Sequence, residues 1–171
     1  MPILPEETRI LEALEKMNIA YQRYEHPPVM TVQEAEKFSD LHPGAHCKNL
    51  FLRDKPGKHH YLVVLQVETE VDLTQLARSY HSGRLSFASN ERLYRYLGVQ
   101  PGAVSPFGLI YDEGQDVTVL IDKSIMEADT AGFHPNVNTA TLVIAVEDLL
   151  RFLSLNGSRY EVIDFSRKDF V

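Results

Sequence analysis

Apolar positions recur at helical spacing near the start of the chain, where Ile10, Leu11, Leu14 and Met17 follow Pro5, Glu6 and Glu7. Proline suits a first helical turn because its missing N–H would have no partner there, and carboxylates suit the positive end of the helix dipole. The spacing predicts a helix from about Pro5 to Met17. Tyr21 to Tyr24 reads as a short strand that stops at His26-Pro27-Pro28. Thr31 with Glu34 three positions on has the pattern of a capping box, which predicts a second short helix and gives Thr31 a structural task.

Two apolar, β-prone runs follow, Asn49 to Arg53 and Tyr61 to Gln66, separated by the turn-forming Asp54-Lys55-Pro56-Gly57. They predict a hairpin. Asp72 is expected to cap a helix through about Ser79, Leu85 to Ala88 to form a strand, and Asn90 to cap a helix with Leu93, Tyr96 and Leu97 inward before Gly98 ends it. Phe107 to Tyr111, Val117 to Ile121 and Thr139 to Val146 read as further strands. Val146 to Leu155 reads as a closing amphipathic helix stopped by Asn156-Gly157, and Tyr160 to Asp164 as a last strand. Hairpin-like pairs favour a mixed, mainly antiparallel sheet with surrounding helices, an α+β (mixed α/β) class, over a regular doubly wound one.

With 171 residues, 44% of them hydrophobic, the chain is expected to form one domain over residues 1–171. No apolar run is long enough to span a bilayer and no secretory layout opens the chain, so no membrane contact and a cytoplasmic location are expected. The single cysteine, Cys47, cannot form an internal disulfide. A net charge of −7 argues against a broad, sequence-independent grip on nucleic acid. Two stretches nevertheless run basic: Lys48, Arg53, Lys55 and Lys58 against Asp54, and Arg78, Arg84, Arg92 and Arg95 against Glu91. From charge alone, solvated faces and phosphate contacts are equal readings.

Candidate chemistry gathers in Gly44 to Asn49, Gly98 to Pro106, and Phe133 to Asn136. Gly102-Ala103-Val104-Ser105-Pro106 is a loop of G-x-x-x-P form, able to aim backbone N–H groups at an oxyanion or to serve merely as a tight connection. Lys48 either snorkels to solvent or reaches a phosphate. Cys47 as a nucleophile would need a base, with His46 or His134 as candidates, but adjacent side chains on an extended segment point opposite ways. His26, His42, His59, His60 and His81 lack zinc-hydrolase spacing and read as surface histidines, so neither metal nor cofactor is expected.

Taken jointly, G-A-H-C-K-N-L-F-L-R-D, L-G-V-Q-P-G-A-V-S-P-F-G-L and F-H-P-N-V-N-T-A-T resemble, in order and spacing, the free-standing prolyl-tRNA editing proteins of the YbaK-like editing family. The resemblance runs from the first helix to the last strand. It implies a YbaK/ProRS editing-like domain and deacylation of mischarged Ala-tRNA for proline, with Ser or Cys esters, or mere acceptor-end binding, as alternatives. Family functional positions match Thr31, Lys48, Gly102 and His134. On that footing Lys48 positions the terminal nucleotide, and Gly102 lets substrate approach a backbone that stabilises the oxyanion and places water. Thr31, Asn49, Ser105, Pro106 and His134 would bind substrate, although Asn49 could equally satisfy backbone groups where its strand begins. The implied partner is tRNA with a proline acceptor, helped by prolyl-tRNA synthetase or an elongation factor.

Overall fold

A computed structural model describes residues 2–167. In chain order the elements are α1 (Pro5–Lys16), β1 (Gln22–Glu25), α2 (Val32–Glu36), β2 (Ala45–Asp54), β3 (His60–Gln66), α3 (Leu73–Ser79), β4 (Leu85–Phe87), α4 (Asn90–Leu97), β5 (Val117–Asp122), β6 (Thr130–Phe133), β7 (Ala140–Ala145), α5 (Val146–Asn156) and β8 (Arg159–Ile163). Short 3-10 turns cover Ser39–Leu41, Pro106–Tyr111 and Lys123–Glu127.

One sheet runs in the order β1-β7-β6-β2-β3-β5-β8, with β4 paired to β2. Pairs β1·β7, β2·β3, β2·β4 and β6·β7 are antiparallel, whereas β2·β6, β3·β5 and β5·β8 are parallel, so the sheet is mixed as expected and only slightly more antiparallel than parallel. Alternation along β2 and β3 sorts side chains to two faces. Phe51, Leu62 and Val64 meet α1, α4 and α5 in the larger core, around Phe107, Phe133 and Phe152. Leu52, Tyr61, Val63 and Leu65 meet α3 and Phe165 in a smaller one.

Local chemistry accounts for most boundaries. Thr31 Oγ1 accepts from Glu34 N at 3.2 Å while the Glu34 carboxylate accepts from Thr31 N, the reciprocal box that starts α2. Gly98, with φ 60°, ends α4 in the left-handed region. The α4 cap is Ser89 rather than Asn90, because the Ser89 hydroxyl is the one that accepts from Arg92 N.

Phe107 to Tyr111 is a 3-10 helix and not a strand. Ser105 Oγ accepts from Phe107 N at 3.1 Å, and Pro106 presets a helical first turn, so local capping overrides the apolar run. Gly108 lies so close to α4 that an added Cβ would stand 2.7 Å from the Leu97 carbonyl oxygen. The strand β6 went unread in the sequence because Thr130-Ala131-Gly132-Phe133 is short and half of it is small residues.

Candidate functional site

A cavity of about 410 Å³ lies between the first half of β2, β6, and the segment from His26 to His42 that carries α2. Val29, Val32, Phe38 and Phe133 supply apolar wall; Asn49, Gln66 and Glu68 supply polar groups. The strand period puts Ala45, Cys47 and Asn49 on the same face, where all three line the cavity, and His46 joins them near the start of the strand.

Four histidines meet here. His26, His42, His46 and His134 all line the cavity, with ring centroids 4.2 Å apart for His42 and His46 and 5.7 Å apart for His26 and His134. His26 and His42 are therefore not surface histidines, and neither is His60, which is 1% exposed beneath α4. His59 and His81 are exposed as expected. Nδ1 of His26 and Nδ1 of His42 each lie 3.0 Å from the carbonyl of the following proline, Pro27 and Pro43. A carbonyl only accepts, so each Nδ1 carries a proton, and Nε2 of His26 lies 2.9 Å from the Thr141 hydroxyl. Gly132 leaves room for the His42 ring, since a Cβ there would stand 2.6 Å from His42 Cε1.

His134 donates a ring N–H to the backbone carbonyl of Gly102. Burial, with His26 and His42 nearby, pushes its pKa down to about 4 despite that bond, so the ring is neutral at pH 7 and its other nitrogen is an acceptor. Burial likewise lowers His42. The Cys47 thiol is pushed up to about 12 by burial, with Asp122 adding to the shift, which keeps it protonated and unreactive. Among the described residues no group of three or more His, Cys, Asp or Glu is placed to hold a metal ion.

The residues singled out in the sequence divide. Asn49 and His134 line the cavity. The Asn49 Oδ1 is buried without a hydrogen-bond partner. Gly102 has φ 90° and sits over the segment leading into α2, where a Cβ would meet Met30 Sδ at 3.1 Å. Thr31 is exposed, its hydroxyl engaged in the α2 cap. Ser105 and Pro106 are buried and start the 3-10 helix that follows the loop. Lys48 is half-buried between two lining residues, opposite Leu65, and by strand alternation leaves on the face of Leu50 and Leu52.

The two cavity histidines that the sequence reading placed on the surface, His26 and His42, share a signal with His134. His26-Pro27, His42-Pro43 and His134-Pro135 are all His-Pro dipeptides, and a residue before proline is held extended, out of any helix that would bury its ring elsewhere. Among the described residues no helix is long and apolar enough to cross a membrane.

Comparison with known proteins gives a consistent result. The family model described as the aminoacyl-tRNA editing domain matches residues 26–152. The prolyl-tRNA editing protein ProX of Acetoanaerobium sticklandii is 41% identical over 155 residues, covering 91% of this chain and 94% of its own. The prolyl-tRNA synthetase associated domain-containing protein 1 of Bos taurus is 33% identical over 160 residues, 91% of this chain and 93% of its own. The solved structure of a candidate trans-editing enzyme for prolyl tRNA synthetase shares the fold with TM-score 0.73 at 20% identity, over 95% of this chain and 98% of that one.

Proposed function

The chain belongs to the aminoacyl-tRNA editing domain family, and from that premise we propose that it is a trans-acting deacylase that hydrolyses alanine wrongly esterified to the tRNA for proline. The observation that carries this reading is the cavity itself. It is of small-ligand size, it joins an apolar wall to the polar side chains of Asn49, Gln66 and Glu68, and its wall is tied to the Gly102 loop through His134.

In the reaction water adds to the ester carbonyl carbon, the bond from that carbon to the ribose oxygen breaks, and the products are free alanine and a tRNA with both terminal hydroxyls restored. Cys47 is protonated and His134 is held near pKa 4, which leaves no strong protein base or nucleophile among them. The ribose hydroxyl next to the ester then assists the water, as the family resemblance implies. Backbone N–H groups of the loop Gly102–Pro106 stabilise the oxyanion, a role that needs only fixed dipoles. Asn49 lines the cavity, and the α-ammonium of an aminoacyl ester is a donor suited to a side-chain amide oxygen. To Lys48 we assign the phosphate-holding role that the resemblance gives it, which suits a long, flexible cation.

We assign selectivity for alanine to a size sieve that accepts a methyl group and excludes the larger proline ring, with Val29, Phe38 and Phe133 of the cavity lining as its candidate walls. Serine or cysteine esters are the nearest competitors. Prolyl-tRNA synthetase is the partner to which the relatives' names point, rather than an elongation factor.

Single-turnover deacylation of alanyl, seryl and prolyl esters, all on the proline acceptor, tests the reading. Wild type should release alanine fastest, and Asn49→Ala and Lys48→Ala should each slow that release at least tenfold. Persistence of all three esters while the tRNA still binds would replace the hydrolase by a binding module.

A further inference from the structure

The sulfur atoms of this chain differ sharply in exposure. Of the three methionines among the described residues, Met17 and Met126 are partly buried against the larger core, whereas Met30 is 59% exposed. A thioether is oxidised through a sulfur lone pair, so its susceptibility follows its exposure. Cys47 is a poor competitor, because its thiol is pushed up to about 12 by burial and a cysteine reacts with oxidants as the thiolate. Met30 is therefore the accessible sulfur among the described residues.

Exposed as it is, Met30 also takes part in a structural clamp. Val29 N donates to the Asn138 carbonyl at 3.2 Å, which ties the segment before α2 to the chain between β6 and β7. The Asn138 side-chain amide returns two bonds, to the Val29 carbonyl at 3.1 Å and to Met30 Sδ at 3.2 Å. The Glu34 carboxylate accepts from Met30 N at 2.6 Å and fixes the backbone there. Met30 also packs on the Gly102 loop, where a Cβ on Gly102 would stand 3.1 Å from Sδ and 3.3 Å from Cε. What the sulfur touches matters to the cavity. Val29, 3% exposed, is part of its wall, and the Gly102 carbonyl accepts from the His134 ring.

We propose that Met30 is an oxidation site through which a peroxide slows the deacylase, its sulfoxide dismantling the contact between Asn138, Met30 and Gly102 that holds the cavity wall and the loop. The proposal rests on the deacylase reading above and adds a means of regulating the same site.

In the step the Met30 sulfur lone pair attacks one oxygen of hydrogen peroxide. The S–O bond forms as the O–O bond breaks, and the departing hydroxide takes the proton of the transferred hydroxyl and leaves as water. Sulfur is oxidised by two electrons and the peroxide is reduced. The product is a polar, chiral group in place of a flexible apolar one. An oxygen directed at Asn138 has no room within 3.2 Å, and one directed at Gly102 enters a space where even a Cβ is tight. An oxygen turned to solvent draws the side chain off both. Each arrangement breaks the clamp.

The test treats wild type and Met30→Leu with hydrogen peroxide. It reads sulfoxide at each methionine by peptide mass, amide exchange in the peptides that hold Val29 and Gly102, and single-turnover release of alanine from the proline acceptor. In wild type Met30 should oxidise roughly tenfold faster than Met17 and Met126. Alanine release should then fall about fivefold and exchange at Val29 should rise, and methionine sulfoxide reductases for both epimers should reverse both changes. Leucine keeps an apolar side chain of similar volume and has no sulfur, so Met30→Leu should hold its own untreated rate through the same dose. Full turnover with Met30 oxidised would overturn the proposal, as would an equal loss in Met30→Leu or oxidation of Met30 no faster than that of the other two methionines. If untreated wild type cleaves no ester, the deacylase reading fails by itself. The oxidation rates and amide exchange still decide the role of Met30, and unchanged exchange in the oxidised protein would sink it.

Discussion

The ring of His134 donates to the backbone carbonyl of Gly102, joining a cavity wall on the segment after β6 to a loop some thirty positions earlier in the chain. The same glycine lies against Met30 and Val29, so three separate segments meet at one backbone position. Gly102→Ala places a Cβ in left-handed backbone, at a cost of about 1–2 kcal/mol, and presses on Met30. Denaturant unfolding should show that loss. Single-turnover deacylation should fall further than the stability change explains, because the loop and the His134 ring shift together.

Cys47 gives a sharper chemical test. With the thiol pushed up to about 12, iodoacetamide should modify the folded protein far more slowly than a free thiol at pH 8, and Cys47→Ala should keep deacylase turnover. Rapid alkylation with parallel loss of activity would instead make the thiol a nucleophile.

Acid stability has a defined direction. His134 and His60 are held at about 4 in the fold against an ordinary value of 6.5. As pH falls below about 6.5 the unfolded chain takes up protons that the native rings refuse until about pH 4. Stability is therefore highest above that window and declines through it. The Tm should drop between pH 6.5 and 4, and His60→Phe, which keeps a ring beside Phe51 and Tyr96, should flatten part of the decline.

Glu7 and Arg23 make the most buried ion pair among the described residues. The Glu7 side chain is 1% exposed, and Arg23 grips it with Nε and Nη2. Removing one partner leaves the other charge unpaired in the interior, so Arg23→Ala should cost about 3–5 kcal/mol in denaturant unfolding. A loss below 1 kcal/mol would mean that water reaches the carboxylate.

Elements set by neighbouring residues were legible in the sequence. The Thr31–Glu34 box, the glycine stops of α4 and α5, and the β2–β3 hairpin each depend on groups within a few positions, and each stands where the pattern put it. Where a local cap competed with an apolar run, as at Ser105 and Pro106, the cap won and the expected strand became a 3-10 helix. The small residues of β6 carried no periodic signal at all, because that strand is defined by its partners β2 and β7.

The site divides along the same line. The motifs around Lys48, Gly102 and His134 were readable because a family resemblance needs only residues in order. That His26, His42, His46 and His134 face one cavity was decided by tertiary structure. It took the parallel pairing of β2 with β6 and the antiparallel pairing of β7 with β1 to bring positions more than a hundred residues apart within ring contact. The burial that keeps His134 neutral and Cys47 protonated arises with it, since desolvation depends on everything packed around a group and not on the residues beside it in the chain.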